Sequence, residues 1–255
     1  MVRGFANLER LEYPGRVIVV GRLPDGSGVV GYAVTGRSPS SRARKLVVGE
    51  DGHVYTTPTD EEALRKGNAA LLVYPAVMLD RGGIAVSNGA QTRLVYEELS
   101  RGGCSPVAPA EVLARALGTP HLVDGIDVTR YEPDEPNFTP RISGCLTPDG
   151  AALSIARRDA GDGVERRIFD VSRLANGAGK AIATYSGPNQ NPLPSFAGEP
   201  LDVAIAARSA AELAEELYAA LGPELGRDDL RVAVVAVEHP VRGQSRIHIA
   251  NRSER

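Results

Sequence analysis

The sequence predicts an α+β fold made mostly of antiparallel β-sheet with few helices. Short β-branched runs recur along the chain with turn signals between them, as at residues 24–28 and 161–163. Helical spacing is confined to a few segments of about ten residues. Two stacked sheets covered by helices would bury so many short apolar strands.

The first half of the chain reads as a series of strands. We expect residues 1–12 to be an N-terminal lead-in. The hairpin turn at residues 24–28 joins the first two strands. Strands are predicted over residues 16–22, 29–35, 46–48, 53–57, 69–78 and 83–87.

The second half repeats this strand pattern, and four helices are predicted along the whole chain. Helices are predicted over residues 60–66, 92–100, 109–117 and 209–221. The last has the clearest signals: Ser209 as N-cap, Glu212 in its first turn and a Gly222-Pro223 stop. Strands are predicted over residues 151–157, 166–171, 179–185, 201–206, 230–237 and 246–250. Residues 186–200 are too long for a simple connection. Without linkers or repeats, residues 1–255 are expected to form a single domain.

Composition narrows the function classes. The net charge of −3 gives no global basic field for nucleic acid, and no apolar run is long enough for a membrane span or a secretory signal. Cys104 and Cys145 form no CxxC pair, and the four histidines are scattered, so we expect reduced thiols, a cytoplasmic protein and no metal site.

Residues 131–144 hold carboxylates, an amide, a hydroxyl and a guanidinium among three prolines. Proline fixes φ and restricts the backbone of the preceding residue, so this segment, the proline-rich loop, is predicted to be stiff and extended. Such a loop could hold a site. The alternative is a solvated connection, and composition alone slightly favours that alternative.

Two further segments carry recognisable chemistry. Arg37, Ser38 and Arg42 place guanidinium and hydroxyl donors in one loop, which suits a phosphate, although a solvated basic turn is the simpler interpretation. Asn88-Gly89 could let a backbone pass close to a ligand, or could be an ordinary turn before a helix. No phosphate-binding glycine motif of the nucleoside triphosphate or dinucleotide type occurs. Cys104 lacks a histidine partner at a recognisable spacing.

An ordered set of motifs resembles the archaeal-type inosine monophosphate (IMP) cyclohydrolases, and residues 184–200 look like the longer bacterial members. The motifs are Tyr13-Pro14-Gly15-Arg16, Thr35-Gly36-Arg37-Ser38 followed by Arg42, Tyr74, Ser87-Asn88-Gly89, and the loop ending in Thr139-Pro140-Arg141-Ile142. The resemblance implies a four-layer αββα sandwich like that of the N-terminal nucleophile hydrolases. It also implies closure of the purine ring of 5-formamidoimidazole-4-carboxamide ribotide with loss of water.

The resemblance also implies roles for individual residues. Tyr74 would donate to the formyl oxygen, Glu132 would shuttle the proton, and Arg42 would act beside them or on the phosphate. The residues expected to bind substrate are Arg16, Arg37, Ser38, Asn88, Gly89, Asn137, Thr139 and Arg141. No cofactor or metal is expected; the partners would be a small ribonucleotide and further copies of the chain, in a homo-oligomer.

The sequence departs from the family pattern at three positions. Pro75 follows Tyr74 where asparagine is usual, Arg93 replaces a common acidic residue, and Phe138 is an extra residue in the proline-rich loop. They leave open two alternatives: the same cyclisation on a purine-analogue nucleotide in nucleoside antibiotic biosynthesis, or a non-catalytic ribotide-binding protein.

Overall fold

A computed structural model describes residues 4–66, 68–101, 107–223, 228–240 and 243–255. These residues form an α+β fold with two large antiparallel sheets and few helices, which confirms the predicted class. Cys104 lies outside the described residues. Within them, no helix is both long enough and apolar enough to span a bilayer.

The strands and helices are numbered in chain order. The strands are β1 (Arg16–Arg22), β2 (Gly28–Thr35), β3 (Arg44–Val48), β4 (Val54–Pro58), β5 (Pro75–Asp80), β6 (Gly83–Ser87), β7 (Leu122–Val123), β8 (Ile126–Asp127), β9 (Arg141–Thr147), β10 (Gly150–Arg158), β11 (Val164–Asp170), β12 (Ala178–Ala183), β13 (Leu201–Ala204), β14 (Arg231–His239) and β15 (Arg246–Asn251). The helices are α1 (Ala6–Glu9), α2 (Pro39–Arg42), α3 (Glu61–Arg65), α4 (Ala69–Leu72), α5 (Thr92–Arg101), α6 (Pro109–Leu117) and α7 (Ala210–Ala220).

The two sheets pack against each other. One has the strand order β13-β12-β1-β2-β14-β15, and the other β11-β10-β9-β6-β5-β4-β3. Strand β1 contacts β9 and β10 across the interface, and β2 contacts β6 and β9. Helix α7 contacts β14 and β15 of the first sheet, whereas α5 and α6 contact β5, β6 and β9–β11 of the second.

The core explains why β1 lacks an alternating pattern. Val17, Ile18, Val19 and Val20 are all fully buried. Since successive side chains point to opposite faces, a strand covered on both faces reads as a continuous apolar run. Strand β1 therefore lies between the other sheet and further core residues.

The segment before and within β5 was predicted wrongly. Residues 69–78 were predicted as one strand, but the segment forms α4 and then β5, which begins at Pro75. A short apolar run does not distinguish strand from buried helix by periodicity, and proline is tolerated at the first residue of a strand.

The prediction of one extended loop over residues 131–144 was also wrong. Arg141 opens β9, an inner strand of the second sheet, and the remaining loop folds back on itself. The amide of Glu132 donates to the carbonyl of Thr139 at 2.8 Å, and the amide of Asn137 donates to the carbonyl of Asp134 at 3.0 Å. Strand β9 was not predicted because its small and charged residues give no apolar pattern, although all of its residues are buried.

The predicted N-terminal lead-in contains α1. Phe5 and Leu8 are buried in the main core, so this segment contributes apolar packing. Phe138 has a left-handed φ of 44° and lies under the Arg158 guanidinium, 3.9 Å from the ring centre.

Candidate active site

A cavity of about 270 Å³ lies where five parts of the chain come together: the starts of β1 and β3, the basic loop (residues 36–43), the proline-rich loop and the chain after β12. Its volume is close to the lower end of the range for small-molecule sites. Six of the residues selected from the sequence line it: Arg16, Arg37, Ser38, Glu132, Asn137 and Thr139. The proline-rich loop is therefore a cavity wall as well as a connection.

Arg16 is placed by a tight backbone arrangement before β1. Its amide donates to Thr184 Oγ1 at 3.1 Å, and the Thr184 hydroxyl donates to the carbonyl of Pro14 at 3.0 Å. Gly15 has a φ of 71°, and a Cβ there would lie 2.2 Å from Thr184 Oγ1. Only glycine fits this position without a shift in the surrounding chain.

A buried ion pair is the central feature of the cavity. Arg16 Nη2 lies 2.6 Å from Glu132 Oε1, and both side chains are more than 90% buried. Burial lowers the pKa of Arg16, but the Glu132 carboxylate together with Tyr74, Tyr185 and Tyr32 outweighs this effect, and the pKa lies well above its ordinary value. Arg141 Nη1 lies 4.0 Å from the same carboxylate oxygen.

Asn88 is fully buried, and protein groups occupy its side-chain amide. Its Nδ2 donates to the carbonyl of Pro140 at 2.9 Å and lies 3.5 Å from Glu132 Oε1. Its Oδ1 accepts from the amide of Ile142 at 2.8 Å and from Gln91 Nε2 at 3.0 Å. Asn88 does not line the cavity; it ties the proline-rich loop to β9.

Gly89 and Arg141 also lie behind the cavity wall. Arg141 Nη1 donates to Gln91 Oε1 at 3.1 Å, and a Cβ on Gly89 would lie 2.1 Å from that nitrogen. The close approach expected at Gly89 is therefore made by Arg141. Burial lowers the pKa of Arg141, with the Arg16 charge acting in the same direction against the opposing effect of Glu132. Sequence reasoning did not select Gln91 as a site residue, although it stands in the same motif.

Tyr74 is buried and does not line the cavity. Its hydroxyl lies 2.7 Å from that of Tyr32, a fully buried residue of β2 that sequence reasoning missed. Burial and the neighbouring Tyr74 raise the pKa of Tyr32 well above its ordinary value, so Tyr32 stays protonated. A tyrosine in an apolar strand carries no sequence signal that separates this role from ordinary core packing.

The basic loop places its two arginines differently. Arg37 lines the cavity and donates from Nη1 to Asn189 Oδ1 and the carbonyl of Gln190, each at 3.0 Å. Arg42 is exposed, and its guanidinium donates back to the carbonyls of Gly36 and Arg37 at 3.1 and 3.0 Å. The structure does not bring Arg42 to the cavity wall.

Arg44 is the cationic wall residue that sequence reasoning missed. It is only 2% exposed, and its Nε donates to the carbonyl of Ser41 at 2.9 Å. Its Nη1 donates to the carbonyl of Leu72 at 3.4 Å, and its Nη2 is buried without a hydrogen-bond partner; no ion pair of Arg44 with a carboxylate is found among the described residues. The residue was predicted in the loop, whereas it opens β3.

A second carboxyl group, Asp134, lines the cavity near Glu132. Its Oδ1 accepts from the amide of Thr139 at 2.6 Å, and its Oδ2 accepts from the Thr139 hydroxyl, which also contacts the Tyr185 hydroxyl. Burial and the negative charge of Glu132 raise the pKa of Asp134. Asn137 has a supporting contact: its Oδ1 accepts from the amide of Leu193 at 2.9 Å, which joins the proline-rich loop to residues 186–200.

The wall therefore combines three guanidinium groups with two carboxyl groups. Because Arg16 and Glu132 neutralise each other, Arg37 and Arg44 exceed the remaining Asp134 in charge. A buried guanidinium without a carboxylate partner favours binding of an anionic ligand. The two carboxyl groups can exchange protons with such a ligand. Among the described residues, no three His, Cys, Asp or Glu side chains converge to hold a metal ion.

Known proteins of one family are similar to this chain. A family model described as "IMP cyclohydrolase-like protein" matches residues 13–238. The IMP cyclohydrolase of Methanothrix thermoacetophila is 29% identical over 71% of this chain and 78% of its own length. That of Methanopyrus kandleri is 28% identical over 72% of this chain and 89% of its own, and that of Methanocaldococcus jannaschii is 27% identical over 68% and 73%. The match covers most of the chain and all the cavity residues discussed above, and the chain belongs to the IMP cyclohydrolase-like family.

Proposed function

We propose that this chain is an IMP cyclohydrolase of purine nucleotide biosynthesis, which closes 5-formamidoimidazole-4-carboxamide ribotide to inosine monophosphate with loss of water. The observation that carries the proposal is the buried Arg16–Glu132 pair on the wall of a cavity with unpaired cationic groups. Family membership and the activity named for the related enzymes supply the reaction.

The reaction asks for little beyond positioning and proton transfer. The carboxamide nitrogen attacks the formyl carbon of the same molecule, so holding the two groups in contact can supply a large share of the rate. Glu132 is proposed to take the proton from the attacking nitrogen. The ion pair with Arg16 fixes the carboxylate, and Asn88 and Arg141 hold the pair in place.

The ribotide phosphate is proposed to bind Arg37, Ser38 and Arg44. Arginine offers a planar fork to phosphate oxygens, and the unsatisfied Nη2 of Arg44 gains a partner when an anion arrives. Arg42 supports this group indirectly by holding the carbonyls of the basic loop. Asn137 and Thr139 are proposed to face the ribose or base.

Tyr74 is proposed to donate to the formyl oxygen as negative charge develops there. For that, the Tyr32 hydroxyl must donate to Tyr74, which leaves the Tyr74 hydrogen free for the substrate. Substrate must also reach Tyr74 behind the present cavity wall, where the Tyr74 hydroxyl lies within the electrostatic influence of Arg16 and Arg141.

The finer architecture and assembly are part of the proposal. We propose one domain with the four-layer αββα arrangement of the N-terminal nucleophile hydrolases, supported by helices on opposite sides of the stacked sheets. A homo-oligomer would use exposed edges such as β3, where Val48 is half exposed. The buried free thiol of Cys145 is compatible with the proposed cytoplasmic location.

The deciding experiment offers the formamido ribotide to the purified protein without added cofactor and follows purine formation by ultraviolet absorbance. Analogues of the formamido ribotide, tested side by side with it, show whether the enzyme prefers the biosynthetic substrate or an analogue. Pro75, directly after Tyr74, motivates that comparison. Arg93 lends it less support, since it is exposed on α5 and off the cavity wall. Calorimetric binding of the ribotide without turnover would overturn the enzymatic proposal and favour a binding protein.

A further inference from the structure

We propose that Asp134, Thr139 and Tyr185 form a proton relay in which Asp134 is the acid that protonates the departing hydroxyl. This inference rests on the proposed cyclohydrolase function. It assigns a second acid–base group, distinct from Glu132, to the same cavity.

The three side chains form one continuous hydrogen-bonded chain. Thr139 Oγ1 contacts both Asp134 Oδ2 and the Tyr185 hydroxyl, and the Thr139 amide fixes the other carboxyl oxygen at 2.6 Å. All three residues line the cavity. Thr139 and Tyr185 are almost fully buried, so water does not compete for these contacts.

The chain has two hydrogen-bond directions because each hydroxyl carries one hydrogen. When Asp134 is ionised, Thr139 donates to it and Tyr185 donates to Thr139. When Asp134 is protonated, it donates to Thr139, Thr139 donates to Tyr185, and the Tyr185 hydrogen is released towards the cavity. Protonation of Asp134 thus creates a hydrogen-bond donor for the ligand at Tyr185.

The surroundings favour the protonated carboxyl. Asp134 is faced by Glu132 from its own loop, Arg16 from β1, Arg141 from β9 and Tyr185 after β12. Burial and then the Glu132 charge raise the pKa of Asp134, in spite of Arg16. Burial also raises the pKa of Tyr185, so this hydroxyl passes a proton on without remaining ionised. Two nearby carboxyls with different partners are typical of divided acid and base roles.

The step balances within the site. In the attack step the carboxamide nitrogen forms the C–N bond, and Glu132 passes the proton that it takes from this nitrogen to the formyl oxygen, which becomes a hydroxyl; Glu132 is then a carboxylate again. As the C–O bond breaks, the hydroxyl takes the Tyr185 proton, Tyr185 takes that of Thr139, and Thr139 takes that of Asp134, which becomes a carboxylate. Glu132 accepts a proton from a ring nitrogen, whose electron pair forms the C=N bond. Return of that proton from Glu132 to Asp134 restores the starting state.

The test compares Asp134→Asn with Glu135→Gln, an exposed carboxylate of the same loop that does not line the cavity. The relay needs protonated Asp134, so wild-type kcat should fall as pH rises through the Asp134 pKa. Asp134→Asn should lower kcat on the order of 100- to 10,000-fold with KM nearly unchanged, and should abolish that alkaline fall. Glu135→Gln should keep both the rate and the pH profile.

A second pair of variants keeps the test valid if Asp134→Asn folds poorly. Thr139→Val breaks the chain, whereas Thr139→Ser retains the hydroxyl and should recover most of kcat. Equal rates for these two, or an Asp134→Asn enzyme with the wild-type rate or the wild-type alkaline fall, would overturn the relay. A wild-type enzyme that forms no purine would instead overturn the cyclohydrolase proposal.

Discussion

Arg16 and Arg42 carry the same guanidinium group in opposite surroundings. Arg16 is buried against Glu132 at 2.6 Å inside a network that includes Asn88 and Arg141, whereas Arg42 is exposed and its guanidinium donates to two loop carbonyls. Removing one partner of a buried pair leaves the other charge buried without compensation, which is destabilising. Removing an exposed charged group costs little, because water already solvates its neighbours. Burial and partners, rather than residue type, therefore separate the ion pair proposed to react from an arginine that only supports its loop.

The largest expected effect comes from breaking the buried pair on one side. Glu132→Leu leaves Arg16 uncompensated and should destabilise the protein by about 3–5 kcal/mol, with loss of cyclisation. The double variant Arg16→Met/Glu132→Leu should recover much of the stability without recovering activity. Chemical denaturation and the purine assay measure the two effects. A double variant as unstable as the single one would show that the charges are not the source of the loss.

The second effect concerns the hydroxyl pair behind the wall. Tyr74→Phe removes the proposed oxyanion donor and should lower kcat by roughly 100- to 1000-fold while ribotide binding changes little. Steady-state kinetics and calorimetry on one preparation separate the two. Wild-type turnover in Tyr74→Phe would remove Tyr74 from the mechanism and make Tyr32 and Tyr74 core residues only.

The third effect contrasts two arginines of the basic segment. Arg44→Met removes the unpaired guanidinium and should weaken ribotide binding by about 1.5–3 kcal/mol, roughly 10- to 150-fold, since the contact is a charged hydrogen bond. Arg42→Met should weaken it much less, because Arg42 acts through loop carbonyls. Affinities for the ribotide and for its dephosphorylated nucleoside decide between them. The nucleoside should not distinguish wild type from Arg44→Met, and the reverse order of the two arginines would contradict the phosphate assignment.

The smallest effect tests the packing of Arg141. A Cβ at Gly89 would lie 2.1 Å from Arg141 Nη1, so Gly89→Ala forces the guanidinium to move and should cost about 1–3 kcal/mol of stability. Thermal unfolding measures it. Gly82→Ala is the matched control, because no atom lies within 4 Å of a Cβ built there. Equal stability of the two variants would mean that Arg141 has room to relax.

Local patterns predicted much of this fold. The β1–β2 and β10–β11 hairpins and helices α5–α7 were predicted because turn residues, caps and periodicity act over a few residues. Strand β9 and helix α4 were missed because their state depends on tertiary burial, which overrides a weak local signal.

The candidate site was predictable only in part, for the same reason. Arg16, Arg37 and Glu132 were selected through motifs and now lie on one wall. Arg44 and Asp134 were not selected because their chemistry depends on burial at the cavity wall, and Gln91 and Tyr32 were not selected because their partners are distant in sequence. Tyr32 and Tyr74 are 42 residues apart, and Gln91 and Arg141 are 50 apart.

The proposal separates proton transfer by Glu132 from phosphate binding by Arg44. The most direct test is a single-turnover assay on wild type, Glu132→Gln and Arg44→Met, with ribotide binding measured on the same samples. Glu132→Gln should bind the ribotide at least as tightly as wild type and form little purine. Arg44→Met should bind weakly but cyclise at close to the wild-type rate once saturated. Wild-type cyclisation by Glu132→Gln, or a wild-type protein that binds the ribotide and forms no purine, would contradict the account.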